Sequence, residues 1–262
     1  MRAAPFGRGA LALAVALLAG TSRGLASSSP TSAPVVTSRG DYRLLVYPPR
    51  QETGRPPVLL ISGEGGWRRF DQTLSRFFAD AGHWVGGMDS LKYFWHAQDD
   101  PRALADDIEA YVAALLRASG RPEGSPVILA GFSFGADLAP RIAGAWTGKS
   151  PIAGLVMLGP DEVGSLQFRV LEVFGFSQDD HVFSVAEALA TVKAVPILFL
   201  HGDEDAHSDA VSLFGRAPDP KKLIHVTGSD HHFAGHEDDL RARLAEGLAW
   251  LLQVPHKGFP GR

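Results

Sequence analysis

The sequence predicts an α/β fold, with one domain built on a mostly parallel sheet and helices on both faces. Short apolar runs rich in β-branched residues alternate with stretches whose apolar residues recur at helical spacing. Several of the short runs are apolar almost throughout, as strands covered on both faces should be. A chain of 262 residues is long enough to bury the core of one such domain.

The predicted strands are bounded by glycine or proline. They are YRLLVY (42–47), PVLLIS (57–62), HWVGGMD (83–89), PVILAGF (126–132), IAGLVML (152–158), PILFLHG (196–202) and KLIHVTG (222–228). The predicted helices are residues 71–81, 101–119, 136–145, 184–192 and 238–252. The stretch 161–183 has no clear periodicity between two predicted strands, which predicts a lid or cap.

The first 26 residues have the pattern of a signal peptide. Two arginines precede a short apolar run from Ala10 to Ala19, and small residues around Ala26 suit cleavage. The alternative is an uncleaved membrane anchor, although the run is short for a bilayer span. Residues 27–40 are rich in Ser, Thr and Pro, which predicts a flexible linker, and the α/β domain is predicted to occupy residues 41–255.

Composition excludes several classes of function. The chain has 25 basic and 29 acidic residues, a formal charge of −4 that becomes −7 once the three arginines of the leader are removed. An acidic chain is a poor partner for nucleic acid. With no cysteine there is no disulfide, thiol nucleophile or Cys-based metal site. We expect neither a metal nor a cofactor.

The motif that bears chemistry is GFSFG, from Gly131 to Gly135. It follows an apolar strand and opens a helix-forming stretch, which is the context of a nucleophile elbow in an α/β-hydrolase. Small residues are needed there because the strand-to-helix turn is sharp. Ser133 is therefore the predicted nucleophile, and the alternative is a serine in an ordinary glycine-rich turn.

A serine nucleophile needs an acid and a histidine later in the chain, each after a late strand. Asp205 follows PILFLHG and is the predicted acid, with Asp203 and Asp209 as alternatives. After KLIHVTG comes Asp-His-His-Phe, in which His231 is the predicted base and His232 the close competitor. A surface pair or a metal-binding pair is the other interpretation of these histidines.

An oxyanion hole requires two preorganised donors. The amide of Phe134, directly after the nucleophile, is the predicted first donor. The second is expected from the glycine-rich segment SGEGGW (62–67), where Glu64 has the right position. A plain tight turn or a phosphate cradle would use the same glycines, but no Walker lysine accompanies them.

Four segments together resemble the VirJ and AcvB family of exported bacterial proteins over about residues 55–253. They are SGEGGW (62–67), DSLKYFW (89–95), GFSFGADLAP (131–140) and DHHF (230–233). The resemblance implies a periplasmic α/β-hydrolase, and for some members cleavage of aminoacyl-phosphatidylglycerol or a link to virulence and type IV secretion. The chain departs from the family pattern at Glu64, usually Asp, and at Ala234-Gly235-His236 after HHF.

The resemblance and the positions of acids and aromatics give the expected substrate contacts. The acids are Asp137, one helical turn after the nucleophile, and Asp89, which with Glu64 follows a strand at the predicted cleft. Aromatic and histidine contacts are expected from Trp67, Tyr93, Trp95 and His232, although Tyr93 and Trp95 would equally suit core packing. The expected partners are an aminoacylated phospholipid, or another ester, and peripherally the membrane lipid.

Two other functions fit the same residues. One is a general carboxylesterase or lipase acting on neutral esters. The other is a non-catalytic periplasmic scaffold of a virulence or secretion machine, which would have no need for three ordered catalytic groups.

Overall fold

The computed structural model describes Met1, residues 29–167 and residues 181–255. The predicted signal peptide, apart from Met1, lies outside the described residues. So do residues 168–180 of the predicted lid. Elsewhere every predicted strand and helix is present, with ends within two residues of the prediction.

The described part of the chain contains ten strands and seven helices. The strands are β1 (Thr31–Thr37), β2 (Gly40–Tyr47), β3 (Val58–Ile61), β4 (Val85–Met88), β5 (Val127–Phe132), β6 (Ile152–Leu158), β7 (Val163–Ser165), β8 (Val182–Ser184), β9 (Ile197–Gly202) and β10 (Lys221–Val226). The helices are α1 (Arg69–Asp80), α2 (Ser90–Tyr93), α3 (Pro101–Ala118), α4 (Phe134–Gly144), α5 (Val185–Thr191), α6 (Ala210–Arg216) and α7 (Glu237–Leu251).

Eight strands form one sheet in the order β1-β2-β4-β3-β5-β6-β9-β10. The six strands from β4 to β10 are parallel, and β2 and β1 add an antiparallel edge. Strands β7 and β8 pair separately as an antiparallel hairpin. This arrangement confirms the predicted fold class. The sequence pattern did not predict β1, the hairpin, α2 or α6.

The flexible linker predicted for residues 27–40 is wrong for most of its length. Thr31–Thr37 forms β1, which pairs with β2 from Thr31↔Val46 to Thr37↔Gly40. Val35 on this strand is only 1% exposed, because alternate side chains turn toward the core. Pro34 is tolerated because β1 is an edge strand. The domain therefore includes residues 31–40, ahead of the predicted start at residue 41.

Two helical layers bury the two faces of the sheet. Helices α1 and α7 cover one face, and α3, α4, α5 and α6 cover the other. Alternate residues of the central strand β5 therefore enter opposite cores: Leu129 packs on the side of α3, and Ile128 on the side of α1. All six residues of β5 are buried, which explains its continuous apolar sequence.

The carboxyl ends of the parallel strands gather the candidate residues. Glu64 follows β3, Ser133 follows β5, Asp161 follows β6, Asp205 follows β9 and His231 follows β10. Ligands of open α/β sheets bind outside these ends. Within residues 29–167 and 181–255, none of the helices has the length and hydrophobicity to cross a membrane.

Candidate active site

Ser133 occupies a strained turn between β5 and α4. Its backbone has φ 51° and ψ −120°, in a region that residues other than glycine rarely adopt. Its amide donates to the carbonyl of Leu158 at 2.9 Å, which fixes the turn against β6. Strain of this kind persists only where the surrounding structure enforces it, and it marks functional sites.

The two glycines of GFSFG are sterically required. A Cβ at Gly135 would lie 2.2 Å from the carbonyl oxygen of Ile61, on β3. At Gly131 it would lie 2.1 Å from the backbone of Gly135. The elbow therefore brings three backbone segments into direct contact, which no side chain at these positions would permit.

Asp205 and His231 are hydrogen bonded. Oδ2 of Asp205 lies 2.8 Å from Nδ1 of His231, and Oδ1 accepts the amide of His207 at 3.0 Å. Burial of the carboxylate, whose side chain is fully covered, keeps water from competing for the imidazole. The structure thus brings together the acid and histidine preferred from the sequence.

The alternative acids lie elsewhere. Asp203 pairs with His225 at 2.8 Å, and Asp209 accepts the amide of Glu162 at 3.1 Å. Exposed His232 packs its ring against His231, with centroids 5.4 Å apart, but the histidine bonded to Asp205 is His231. His232 therefore sits at the edge of the site.

A pocket of about 310 Å³ opens in front of Ser133 and His231. Phe134 and Glu64, the predicted oxyanion donors, also line it. The glycine-rich segment makes a tight turn there, in which the amide of Gly66 donates to the carbonyl of Gly63 at 3.0 Å. This turn leaves Glu64 at the pocket, and its role as the second donor stays a prediction.

Gly159, directly after β6, completes the wall beside the histidine. Its φ of +56° favours glycine, and a Cβ there would lie 3.0 Å from Cε1 of His231 and 3.4 Å from Oδ2 of Asp205. Nothing in the local sequence pattern marks this glycine as part of the site. Only the folded chain reveals that Gly159 lies beside both partners of the hydrogen bond.

One wall of the pocket is acidic. Asp137 lines it as predicted, but the residue is only 5% exposed and its Oδ1 accepts the amide of Asp161 at 2.8 Å. Burial raises the pKa of Asp137 well above the ordinary aspartate value. Asp161 also lines the pocket, and burial, followed by a hydrogen bond with Asp209, raises its pKa.

Sequence reasoning missed Asp161 and His207, both of which line the pocket. Asp161 falls in the stretch that was predicted to be a lid or cap. The available signal was its position just after β6, the strand that pairs with β5, because the loops at these strand ends contact ligands. Val163 and Val182, which flank the pocket on the β7–β8 hairpin, carried no such signal.

The described pocket gives no support to three of the predicted substrate contacts. Trp67 lies over Gly87 of β4, where a Cβ would come within 2.1 Å of the indole ring, so the ring fills space that glycine leaves. Tyr93 is 1% exposed and its hydroxyl donates to Oδ2 of Asp107 at 2.7 Å. Asp89 caps α2 and pairs with Lys92 at 3.0 Å. None of them lines the described pocket.

The DSLKYFW segment instead supports the site from behind. Asp89 starts α2, and the ring of Phe94 packs edge-on against Phe134, the residue after the nucleophile, with centroids 5.3 Å apart. Trp95 is 56% exposed and is not among the residues that line the pocket, so its predicted contact with substrate has no support in the described residues. The described part of the chain contains no group of three His, Asp or Glu side chains able to hold a metal ion.

Solved structures share this fold. A dienelactone hydrolase of Anabaena variabilis superposes with a TM-score of 0.61 at 15% identity, over 86% of this chain and 99% of that one. An esterase domain of Rhodothermus marinus superposes with a TM-score of 0.59 at 18% identity, over 85% of this chain and 97% of that one. An α/β serine hydrolase without lid from Xanthomonas campestris superposes with a TM-score of 0.58 at 22% identity, over 87% of this chain and 98% of that one. The chain has the α/β-hydrolase fold.

The sequence itself places the chain in a family. A search of curated proteins found no match. The model of the bacterial virulence protein VirJ, however, matches residues 57–250, which include Ser133, Asp205 and His231. The match extends over most of the domain and agrees with the resemblance carried by the four segments. The chain belongs to the VirJ family of bacterial virulence proteins.

Proposed function

We propose that the protein is a serine ester hydrolase. The observation that carries the proposal is that the strained elbow presents Ser133 to the same pocket as His231, whose other ring nitrogen is hydrogen bonded to buried Asp205. A serine hydroxyl is a poor nucleophile unless a positioned base removes its proton. A structural serine would need neither the strain nor the histidine.

In the proposed reaction, Oγ of Ser133 attacks the ester carbonyl while Nε2 of His231 takes the hydroxyl proton. The tetrahedral oxyanion accepts hydrogen bonds from the amides of Phe134 and Glu64. Collapse expels the alcohol, which receives the proton from His231 and leaves the acyl group on Ser133. Water, deprotonated by His231, then hydrolyses this acyl-enzyme and restores the serine.

For the substrate, we propose the aminoacyl ester of an aminoacyl-phosphatidylglycerol, such as the lysyl or alanyl form. The family resemblance supports this choice. So does the pocket wall, which carries Glu64 and Asp161 and, among the described lining residues, no lysine or arginine. A wall of carboxyl groups suits an acyl group that carries an ammonium, because opposite charges attract strongly in a partly dry pocket.

A general carboxylesterase is the second candidate. Val163 and Val182, 58% and 38% exposed, lie on the hairpin at the pocket and would suit an apolar ester. Such an enzyme would hydrolyse neutral and charged esters of equal size at similar rates. The two candidates therefore differ in a single measurable ratio.

We also propose that the protein acts in the periplasm, in peripheral contact with membrane lipid. The support is the leader pattern of residues 1–26 together with a lipid substrate that stays in the bilayer. The absence of cysteines is compatible with an oxidising compartment but does not require it.

The test compares wild type with Ser133→Ala. The wild type should react with a fluorophosphonate probe and hydrolyse lysyl-phosphatidylglycerol faster than its N-acetylated form. Ser133→Ala should lose labelling and at least roughly 10³-fold in turnover while melting normally, since it removes one oxygen atom. Equal rates on the two lipids would leave a general esterase, and an unlabelled wild type without turnover would favour a non-catalytic scaffold.

A further inference from the structure

The loop after β6 contributes an acidic residue to the pocket that contains the proposed reaction centre. Asp161, two residues beyond Gly159, is an exposed residue that lines the pocket in front of Ser133. His231, the proposed base, lines the same pocket as Asp161. We propose that Asp161 binds the ammonium group of the substrate and that Asp137 positions Asp161, an inference that rests on the proposed function.

Asp137 is poorly suited to bind the ammonium itself. Its side chain is almost entirely buried and one oxygen already accepts the backbone amide of Asp161. Burial also raises its pKa, which favours the neutral acid, and a neutral acid attracts a cation weakly. What Asp137 provides is a fixed acceptor that holds the Asp161 backbone toward the pocket.

Asp161 is held from a second side as well. Its Oδ1 accepts the amide of Glu162 at 2.8 Å, and Oδ2 of Asp209 accepts the same amide at 3.1 Å, so the two carboxyl groups lie close together. The amide of Asp209 donates to the carbonyl of Pro160 at 2.8 Å. Two adjacent carboxyl groups hold a proton between them more readily than either alone. An arriving ammonium can take the place of that proton.

The chemistry of the pocket explains why a cation is needed. Attack by Ser133 creates an oxyanion, and carboxylates on the same wall would raise the energy of that charge. A substrate with an ammonium on its acyl group offsets both negative charges at once. With a neutral ester, no cation offsets the repulsion between the oxyanion and the Asp161 carboxylate. The enzyme should therefore favour the free-amine ester over the neutral ester in the transition state as well as in binding.

The turnover experiment uses alanine ethyl ester and N-acetylalanine ethyl ester as a matched pair. Asp161→Asn should lower kcat/KM for the free-amine ester by roughly 10- to 100-fold, the range for losing a charged hydrogen bond, and leave the acetylated ester unchanged or faster. Asp137→Asn retains an acceptor oxygen and should change the ratio little. Glu204→Gln, at an exposed acid of the loop after β9, is the control for removing a negative charge.

A binding experiment separates this proposal from the proposed function. Alaninamide and N-acetylalaninamide are titrated calorimetrically into Ser133→Ala and into the Ser133→Ala, Asp161→Asn double variant. Loss of alaninamide binding only in the double variant supports the assignment, even if the wild type hydrolyses neither ester and the proposed function fails. Undiminished alaninamide binding in the double variant, or an equal loss of turnover on both esters in Asp161→Asn, overturns the assignment even where hydrolysis is intact.

Discussion

The Asp205 carboxylate and the His231 imidazole are joined at 2.8 Å, with the acid fully buried and the ring 16% exposed. A carboxylate can only accept a hydrogen bond, so Nδ1 of His231 carries the proton. Its Nε2 is then left with a free lone pair. The relationship therefore fixes the tautomer that general-base catalysis requires.

The two adjacent histidines should differ sharply. His231→Ala should lower ester hydrolysis by roughly 10³-fold or more, because it removes the imidazole bonded to Asp205. His232→Ala should keep measurable turnover, since His232 only packs at the edge of the site. Steady-state rates of the purified variants decide the matter, and a reversed order would make His232 the base.

Gly159→Ala should damage activity beyond its effect on stability. The new methyl group would press on His231 and Asp205, and the alanine would be held at an unfavourable positive φ. Gly120→Ala is the matched control, because Gly120 has φ +66° but a Cβ added there would meet no atom within 4 Å. Both should lose about 1–3 kcal/mol of unfolding free energy. Only Gly159→Ala should lower kcat, and an unchanged kcat would show that the histidine tolerates the contact.

Tyr93→Phe should destabilise the fold without changing catalysis. The substitution removes the hydroxyl that donates to Asp107, a buried carboxylate that also accepts from the amide and hydroxyl of Ser38. The expected cost is about 1–3 kcal/mol, measured by denaturant unfolding. Tyr42→Phe, whose ring packs 5.5 Å from Tyr93, serves as the control. A selective loss of turnover in Tyr93→Phe would restore Tyr93 to the substrate site.

The preference for a free-amine ester should fade on acidification. Burial and Asp209 raise the pKa of Asp161, so the ionised form that binds ammonium is lost at a higher pH than for an ordinary aspartate. Asp209, Asp137 and His231 all act on this group or face it, and Glu64 and His207 line the same pocket. The ratio of kcat/KM for the two ethyl esters isolates Asp161, because titration of His231 affects both substrates. Below about pH 7, where the α-amino group of the ester stays protonated, the ratio in Asp161→Asn should no longer vary with pH.

The mature protein should begin near Ser27 and be recovered in the soluble periplasmic fraction. Small residues at Gly24 and Ala26 suit signal-peptide cleavage. Intact-mass spectrometry of the exported protein measures the start of the chain. An uncut chain in the membrane fraction would instead favour an anchor.

Local sequence predicts the elbow well because its constraints are local. A strand, a glycine-flanked serine and a helix follow one another within GFSFG and its neighbours, and each requirement is visible in the order of residues. The strand–helix alternation works for the same reason. Where the sequence offered three acids and two histidines, however, only the fold pairs Asp205 with His231, because that choice depends on how β9 and β10 are juxtaposed.

Packing between distant segments explains the errors. The sequence favoured Trp67 as a cleft residue, but Gly87 on a neighbouring strand creates the space that its ring fills. Composition suggested a linker where Val35 finds a place in the core through pairing of β1 with β2. Asp161 was missed because its significance depends on Asp137 and Asp209, which lie 24 and 48 residues away along the chain.

Hydrogen bonds between the loops after β6 and β9 limit which sequence changes near the pocket this protein can accept. The carbonyl of Pro160 accepts from the amide of Asp209 and from the hydroxyl of Ser208, in the same loop that carries Asp205. A change in the backbone path of the loop after β6 therefore also strains the support of the proposed catalytic acid, whereas an exchange of the Asp161 side chain alone does not. New substrate preferences would be reached with less loss of rate through Glu64, which lines the same pocket from the separate loop after β3.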